Sequence, residues 1–332
     1  VTCKKLAEKI YNTLHGPLPI KGSCLPVKVS IFVSRIFHNT DIEEVLDTSI
    51  YNIENNNIEE KYLTEELRKE NETKQILATY LKISRKITIG EISFALQPIY
   101  YSKRLFPIFY EVLARLASKK GILTPSHFMK IIERLGFRTD LDRVILYKAL
   151  YYLSEHKELS ATSINISIDY LFERLLLDLK QYLKEFSIDK NKVIFELIEH
   201  PSQQKFSRKK LYKFLDKLKS QGFKIALDDF GLYHSNFSLL KEFPWDIVKV
   251  DGTFIKHITT NNFNKKLLHF LIEIAEMKNF KIVAEHIETN EQAELLKKLG
   301  VHYLQGFLLG RPSLIHESQK IVPPLLYNFP DY

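Results

Sequence analysis

The sequence predicts an α/β fold: a TIM-like (β/α)8 barrel with an antiparallel first strand, preceded by a small α+β segment and a linker helix. Three observations carry this expectation. From Ile92 onward, short apolar runs alternate with amphipathic stretches, the pattern of a largely parallel sheet. Eight such runs fall within about 240 residues, which suits a closed barrel better than an open sheet. The first two runs, ISFALQPIYY and PIFYEVLARL, lie too close together for a helical crossover. They pair as an antiparallel hairpin, so strand one runs against the others.

Taken in order, residues 1–57 begin with KKLAEKIYNTL, whose apolar residues recur at helical spacing. A turn is expected at HGPLPIKGS, then a strand in the alternating PVKVSIFVSRIF. Asp41 opens a helix, DIEEVLDTSIYNIE, with acidic residues in its first turn, and Asn55, Asn56 and Asn57 mark its end. This piece is small for an independent core. Residues 58–90 are rich in Glu and Lys and read as an exposed connecting helix with opposite charges at helical spacing. A coiled coil is the competing reading, but the apolar heptad is poor.

Residues 91–332 make the barrel domain. After the hairpin come the strand candidates SINISIDYL, KVIFELIEH, KIALDDFG, DIVKVDGTFI, KIVAEHIE and HYLQGFLLG. Between them lie helical stretches: SHFMKIIERLGF with LDRVILYKALYYL, the run from Asp169 to Phe186, SRKKLYKFLDKLKSQG, NKKLLHFLIEIAEMKN and NEQAELLKKLG. The last two end at Asn279 and Gly300, suitable helix C-caps.

The chemistry centres on the stretch from Lys224 to Phe254. Its two apolar runs, KIALDD and DIVKVD, each end in ionisable groups: Asp228 and Asp229 on one, Lys249 and Asp251 on the other. Such groups are costly to bury without a metal, a partner or a substrate. A helix N-cap with a salt-bridged neighbour is the plainer explanation for one Asp pair. In a barrel, however, the carboxyl ends of the strands converge on one face. They bring Glu111, Asn165, Glu196, Asp228, Asp229, Lys249, Glu285 and Gln305 to that face. Five carboxylates and one Asn form a hard, oxygen-rich site suited to Mg²⁺ or Mn²⁺ and not to zinc. Two cations would relieve their mutual repulsion, and two-metal sites suit in-line displacement at phosphorus, with Lys249 near the phosphate or the attacking water. His200, His234 and His286 are read as loop residues.

Composition narrows the alternatives. The net charge is +8, but no basic block is present and lysines alternate with glutamates, so the excess reads as solvated surface with no DNA or RNA footprint. Cys3 and Cys24 show neither metal-ligand nor disulfide-framework spacing, which suits a reducing, cytoplasmic setting. No apolar run is long enough to cross a bilayer, so no membrane contact is expected within these residues. A chain opening on Val reads as a piece of a longer protein, with room for a membrane anchor upstream.

Residues 91–312 resemble the EAL family of cyclic-di-GMP phosphodiesterases. The motifs are LQP at Gln97, EVL at Glu111, NIS at Asn165, FELIE from Glu196 to Glu199, DDFG at Asp228, KVD at Lys249, AEHIE at Glu285 and QGFLLGRP from Gln305. The resemblance implies a barrel with a reversed first strand and hydrolysis of cyclic di-GMP to linear pGpG by two-metal activation of water. It implies Glu111, Asn165, Glu196, Asp228, Asp229 and Glu285 as ligands of Mg²⁺ or Mn²⁺, with Ca²⁺ inhibiting. Lys249 matches the lysine that holds or activates the water, beside Glu111 and Glu285 as catalytic positions. Gln97, Arg115 and Gln305 match substrate contacts, and Glu199 matches the carboxylate that steadies the loop after DDFG. A homodimer through the barrel helix after that loop is also implied.

The chain departs from the family where TGYSS-like residues would follow DDFG: here Leu232 to Asn236 read LYHSN, and Tyr233 removes the backbone freedom of a Gly. His286 stands beside Glu285 where the family has AEGVE. Weak hydrolysis is therefore expected, because a loosely held inner shell loses rate. The competing readings are a receptor that binds cyclic di-GMP without cutting it, and a ligand-free scaffold. Residues 1–57 also resemble the last part of a GGDEF domain, as a remnant without the signature loop.

Overall fold

The structure, a computed structural model, describes residues 16–20, 23–27, 86, 92–118, 121–134, 136–198, 207–231 and 237–315. The chain divides into two units. In the first, strands β1 (Gly16–Ile20) and β2 (Ser23–Val27) pair antiparallel. This hairpin occupies part of the stretch read above as a turn. A two-stranded ribbon has only edges, where Pro17, Pro19 and Pro26 interrupt no interior ladder. β2 includes Pro26 and Val27, the first two residues of the expected strand PVKVSIFVSRIF; the rest of that strand, the other expectations for residues 1–57, and those for the 58–90 helix apart from Lys86 fall outside the described residues.

The second unit is the barrel. Its strands are β3 (Ser93–Tyr101), β4 (Pro107–Ser118), β6 (Thr162–Asn165), β7 (Val193–Ile198), β8 (Lys224–Phe230), β9 (Ile247–Val250), β10 (Lys281–Ala284) and β11 (Tyr303–Leu304). They join side by side in that order, and β11 returns to β3 to close the ring. β3 is antiparallel to both neighbours, β4 and β11, while the other pairings are parallel. The reversed first strand expected from the short first connection is present. Two small strands add to the rim: β5 (Gly121–Leu123) folds back on β4, and β12 (Ser313–Leu314) lies along β3.

The helices follow the predicted order: α1 (Pro125–Arg134), α2 (Arg138–Glu155), α3 (Ile168–Glu173), α4 (Leu175–Glu185), α5 (Arg208–Ser220), α6 (Phe237–Glu242), α7 (Gly252–Ile255), α8 (Asn262–Lys278) and α9 (Asn290–Leu299). Asn279 and Gly300 cap α8 and α9 in left-handed conformation, at φ 60° and 96°. Thr289 and Gln292 form a reciprocal capping box at the start of α9.

Several expected elements change. The run from Asp169 to Phe186 is two helices, because Arg174 leaves helical geometry at φ −151°. The strand expected over SINISIDYL stops at Asn165, where Ser167 turns the chain and accepts a hydrogen bond from the Tyr170 amide. The strand in DIVKVDGTFI stops at Val250, because Asp251 caps α7. KIVAEHIE and HYLQGFLLG are likewise strands only as far as Ala284 and Leu304. At Ser167 and Asp251 a polar side chain claims a backbone amide that a longer strand would need, whereas after β10 and β11 the amides of Glu285, Ile287 and Gln305 donate to backbone carbonyls.

Candidate active site

One apolar layer closes the barrel interior and sets the position of the site. Ile99, Phe109, Ala161, Ile194, Ala226, Ile247 and Val283 are buried together, with Tyr303 packed against them. Each barrel strand, or the residue leading into it, contributes to this layer. Side chains two residues apart on a strand face the same way. Two residues beyond the plug come Glu111, Glu196, Asp228, Lys249, Glu285 and Gln305, all buried. On the reversed β3, Gln97 stands two residues before Ile99, and the opposite chain direction brings it to the same level. Its register partner is Glu111. The polar residues therefore form a second layer directly above the apolar one. Asn165 stands four residues beyond Ala161 and pairs in register with Glu196.

Lys249 occupies the middle of the polar layer. Its Nζ lies 2.9 Å from Glu285, 3.0 Å from Glu196, 3.0 Å from Asp228 and 3.3 Å from Glu111. Burial opposes the charge on this lysine, but the carboxylates, Asp228 foremost, hold its pKa well above the usual value. The carboxylates respond unequally. Burial pushes Glu196 up to about 8 despite Lys249, with Glu111 and Asp228 adding repulsion. Glu285 is raised well above the ordinary range, again chiefly by burial. Asp228 is raised by burial, and Asp229 is pushed up to about 6 by burial and by the charge of Asp228. For Glu111, burial is outweighed by Lys249 and by hydrogen bonds from Gln305 and Asn165, and its pKa falls. Burial and mutual repulsion thus favour the protonated forms of Glu196, Asp228, Asp229 and Glu285, while Lys249 and the two side-chain amides favour ionised Glu111.

The structure brings most of the sequence-derived residues together. Asn165 Nδ2 donates to Glu111 Oε1 at 3.1 Å, and Gln305 Nε2 donates to Glu111 Oε2 at 2.6 Å. Gln305 Nε2 also lies 3.2 Å from Gln97 Oε1, while Gln97 Nε2 donates to the Gly310 carbonyl at 3.1 Å. Asp229 follows Asp228 with left-handed backbone at φ 54°. Arg115 is buried farther along β4 and feels the charge of Glu111. Its Nη1 donates to the Leu113 and Ala114 carbonyls, at 3.2 and 2.9 Å. Glu199, His200 and the 232–236 loop, which includes His234, lie outside the described residues. Asp251, an ionisable strand-end residue with no role assigned from the sequence, accepts from the Thr253 amide through Oδ1 at 2.8 Å.

The residues fit metal ions. One carboxylate oxygen from each of Glu111, Glu196 and Asp228 lies within 4.8 Å of the others, and the same holds for Asp228, Asp229 and Glu285. The two groups share Asp228. Glu196 Oε1 is buried without a well-formed hydrogen bond among the described residues, with the Ser163 hydroxyl near enough to favour its ionised form. An acceptor left bare in the interior is costly unless a cation faces it. Oxygen donors alone favour hard dications over zinc.

Comparison with known proteins agrees with this geometry. Residues 81–312 match the EAL domain family. The chain is 35% identical over 208 residues to the probable cyclic di-GMP phosphodiesterase PdeA of Escherichia coli K12, covering 61% of this chain and 28% of that protein. It is 26% identical over 223 residues to the cyclic di-GMP phosphodiesterase PdeF of the same strain, covering 66% and 30%. The chain thus spans less than a third of the length of these curated relatives. Among solved structures, the PaMucR phosphodiesterase in complex with c-di-GMP is similar at a TM-score of 0.64 and 26% identity, over 72% of this chain and 97% of that one. The EAL domain protein of Listeria monocytogenes EGD-e gives 0.63 and 27%, over 71% and 92%. With its reversed first strand and its acidic layer at the barrel mouth, the chain belongs to the EAL domain family.

Proposed function

We propose that the barrel domain hydrolyses cyclic di-GMP to linear pGpG with Mg²⁺ or Mn²⁺. The observation that carries this reading is the carboxylate layer drawn around Lys249 at the barrel mouth. Support also comes from relatives that are themselves named cyclic di-GMP phosphodiesterases. In the reaction water adds to phosphorus, one ester P–O bond breaks, and the departing oxygen leaves as a hydroxyl.

Bound Mg²⁺ or Mn²⁺, held by Glu111, Asn165, Glu196, Asp228, Asp229 and Glu285, would neutralise these groups and supply Lewis acidity at phosphorus. The chain's own residues divide the remaining work. Lys249 keeps its positive charge beside the carboxylates, where it steadies the attacking water and the charge growing on the phosphoryl oxygens. Glu285, 2.9 Å from Lys249 Nζ, stands beside that water and, ionised when the cations are bound, accepts its proton. Arg115 grips a phosphate through its planar guanidinium, and Gln97 and Gln305 contact the substrate beside Glu111. Ca²⁺ inhibits, because its longer bonds and looser coordination spoil the alignment of the reacting atoms. We further propose that residues 58–90 link the barrel to the 1–57 segment, a remnant of a GGDEF domain.

The domain is also proposed to form a homodimer through α6 and its neighbour α8. Phe237 on α6 and Phe270 on α8 stand 6.1 Å apart between ring centres. Phe263, Phe270 and Met277 are exposed along α8 at seven-residue spacing, with half-buried Leu267 and Ile274 between them on the same face.

Incubation with cyclic di-GMP and Mg²⁺ or Mn²⁺ should yield pGpG, and Glu111→Ala should abolish the yield while the fold persists. No turnover with either ion at high protein concentration would exclude hydrolysis. Tight binding without product would select the receptor reading in its place.

A further inference from the structure

His286 follows Glu285 at the end of β10 with backbone in the left-handed region, at φ 55°. A residue with a Cβ is disfavoured there and persists only where its surroundings hold it. The ring lies against Gly252: a Cβ at that position would come within 2.3 Å of His286 Nδ1 and 2.4 Å of Cγ. The imidazole therefore fills the place that a side chain at 252 would take, and only glycine leaves room for it.

The imidazole also stands near two carboxylates. One ligand atom from each of Asp251, Glu285 and His286 lies within 4.8 Å of the others. Asp251 and Glu285 are buried while His286 is exposed, so the group opens to solvent on one side. The other two candidate metal groups of the mouth contain oxygen donors only. This one adds an aromatic nitrogen, which suits first-row transition dications and is a poor ligand for Mg²⁺.

We propose that Asp251, Glu285 and His286 form a mixed oxygen–nitrogen position for a first-row transition dication at the rim of the acidic layer. It rests on the metal reading above only through Glu285, which it shares with an oxygen-only group. The position gives the protein a preference for transition ions over Mg²⁺, set by a side chain held in place by the absence of one at Gly252.

The test is pulsed electron paramagnetic resonance of the Mn²⁺-loaded protein, which reads ¹⁴N coupling from a bound imidazole. Coupling is expected in the unaltered protein and lost in His286→Gly, which suits the left-handed backbone and should fold. Gly252→Ala keeps the imidazole but displaces it, and should cause the same loss. Calorimetric affinity for Co²⁺ should fall at least about tenfold in His286→Gly, since loss of even an outer partner has such effects. Bound Mn²⁺ without nitrogen coupling in the unaltered protein overturns the proposal, as does coupling that survives His286→Gly. Turnover of cyclic di-GMP by the unaltered protein with Mg²⁺ decides the hydrolase reading separately, so the two failures are distinguishable.

Discussion

Lys249 Nζ stands 2.9 Å from Glu285 Oε1, and the lysine side chain is 1% exposed. Two strands thus place opposite charges in contact where water cannot screen them. Removing one partner from such a contact leaves the other charge uncompensated, at about 3–5 kcal/mol. Here the loss reaches further, because Glu196, Asp228 and Glu111 share the same ammonium. Lys249→Met should therefore abolish turnover and destabilise the metal-free protein. The penalty should be larger at pH 8 than at pH 5, since protons can replace the ammonium in acid. Denaturant unfolding in chelator at both pH values measures this, and equal losses would show that the carboxylates do not depend on Lys249.

The carboxylates also fix the direction of a pH dependence. Glu196 titrates at about 8 in the folded protein against an ordinary 4.5, and Asp229 at about 6 against 3.8. Between about pH 4 and 8 the folded state thus holds more protons than the unfolded one, and stability falls as pH rises through that window. Scanning calorimetry in chelator should show the melting temperature dropping from pH 5 to pH 8. Mg²⁺ or Mn²⁺ should reverse the drop and release protons on binding. A melting temperature that rises over the same interval without metal would contradict the raised pKa values.

Much of this was legible in the sequence for a physical reason. A short apolar run followed by an acid has few solutions, and seeing it recur at the ends of KIALDD, DIVKVD and FELIE restricts them further. The reversed first strand followed from connection length alone. The position of Lys249 was not legible: being at a strand end does not reveal that four carboxylates share one ammonium, since that depends on the register between strands. Strand ends were overread wherever a polar side chain takes the next amide, as Ser167 and Asp251 do. Composition also could not separate His286 from an ordinary loop histidine, because its relation to Gly252 arises only when β9 and β10 lie side by side.

The stripe on α8 makes an assembly prediction. Phe263 is 71% exposed, Phe270 50% and Met277 85%, far more than apolar side chains of this size usually show. If a second copy covers them, Phe270→Asp should convert a dimer to a monomer in light scattering. Its melting temperature at low protein concentration should fall only slightly, because Phe270 is half exposed and loses one ring contact within the chain, that with Phe237. A protein that is monomeric before substitution, at concentrations well above micromolar, would sink the dimer proposal.

Gly306 offers a test of how the mouth is held together. A Cβ at this position would lie 2.1 Å from the Ile287 carbonyl oxygen and 2.2 Å from its amide nitrogen. Both obstacles are backbone, and both are tied down: the Ile287 amide donates to Gln305 O at 3.0 Å, and the Leu308 amide donates to Ile287 O at 3.1 Å. Gly306→Ala must therefore push the 285–288 segment away from the 305–308 segment, an overpacking that costs about 1–3 kcal/mol or more. Those segments carry Glu285 and Gln305, and Gln305 holds Glu111 at 2.6 Å. A shift of about 1 Å in such a constellation can lower the rate about a hundredfold. The expected outcome is a lowered unfolding midpoint together with a fall in turnover too large for the loss of folded protein to explain. If the midpoint drops while turnover per folded molecule is unchanged, then the contact between these segments supports the fold but does not align the catalytic layer.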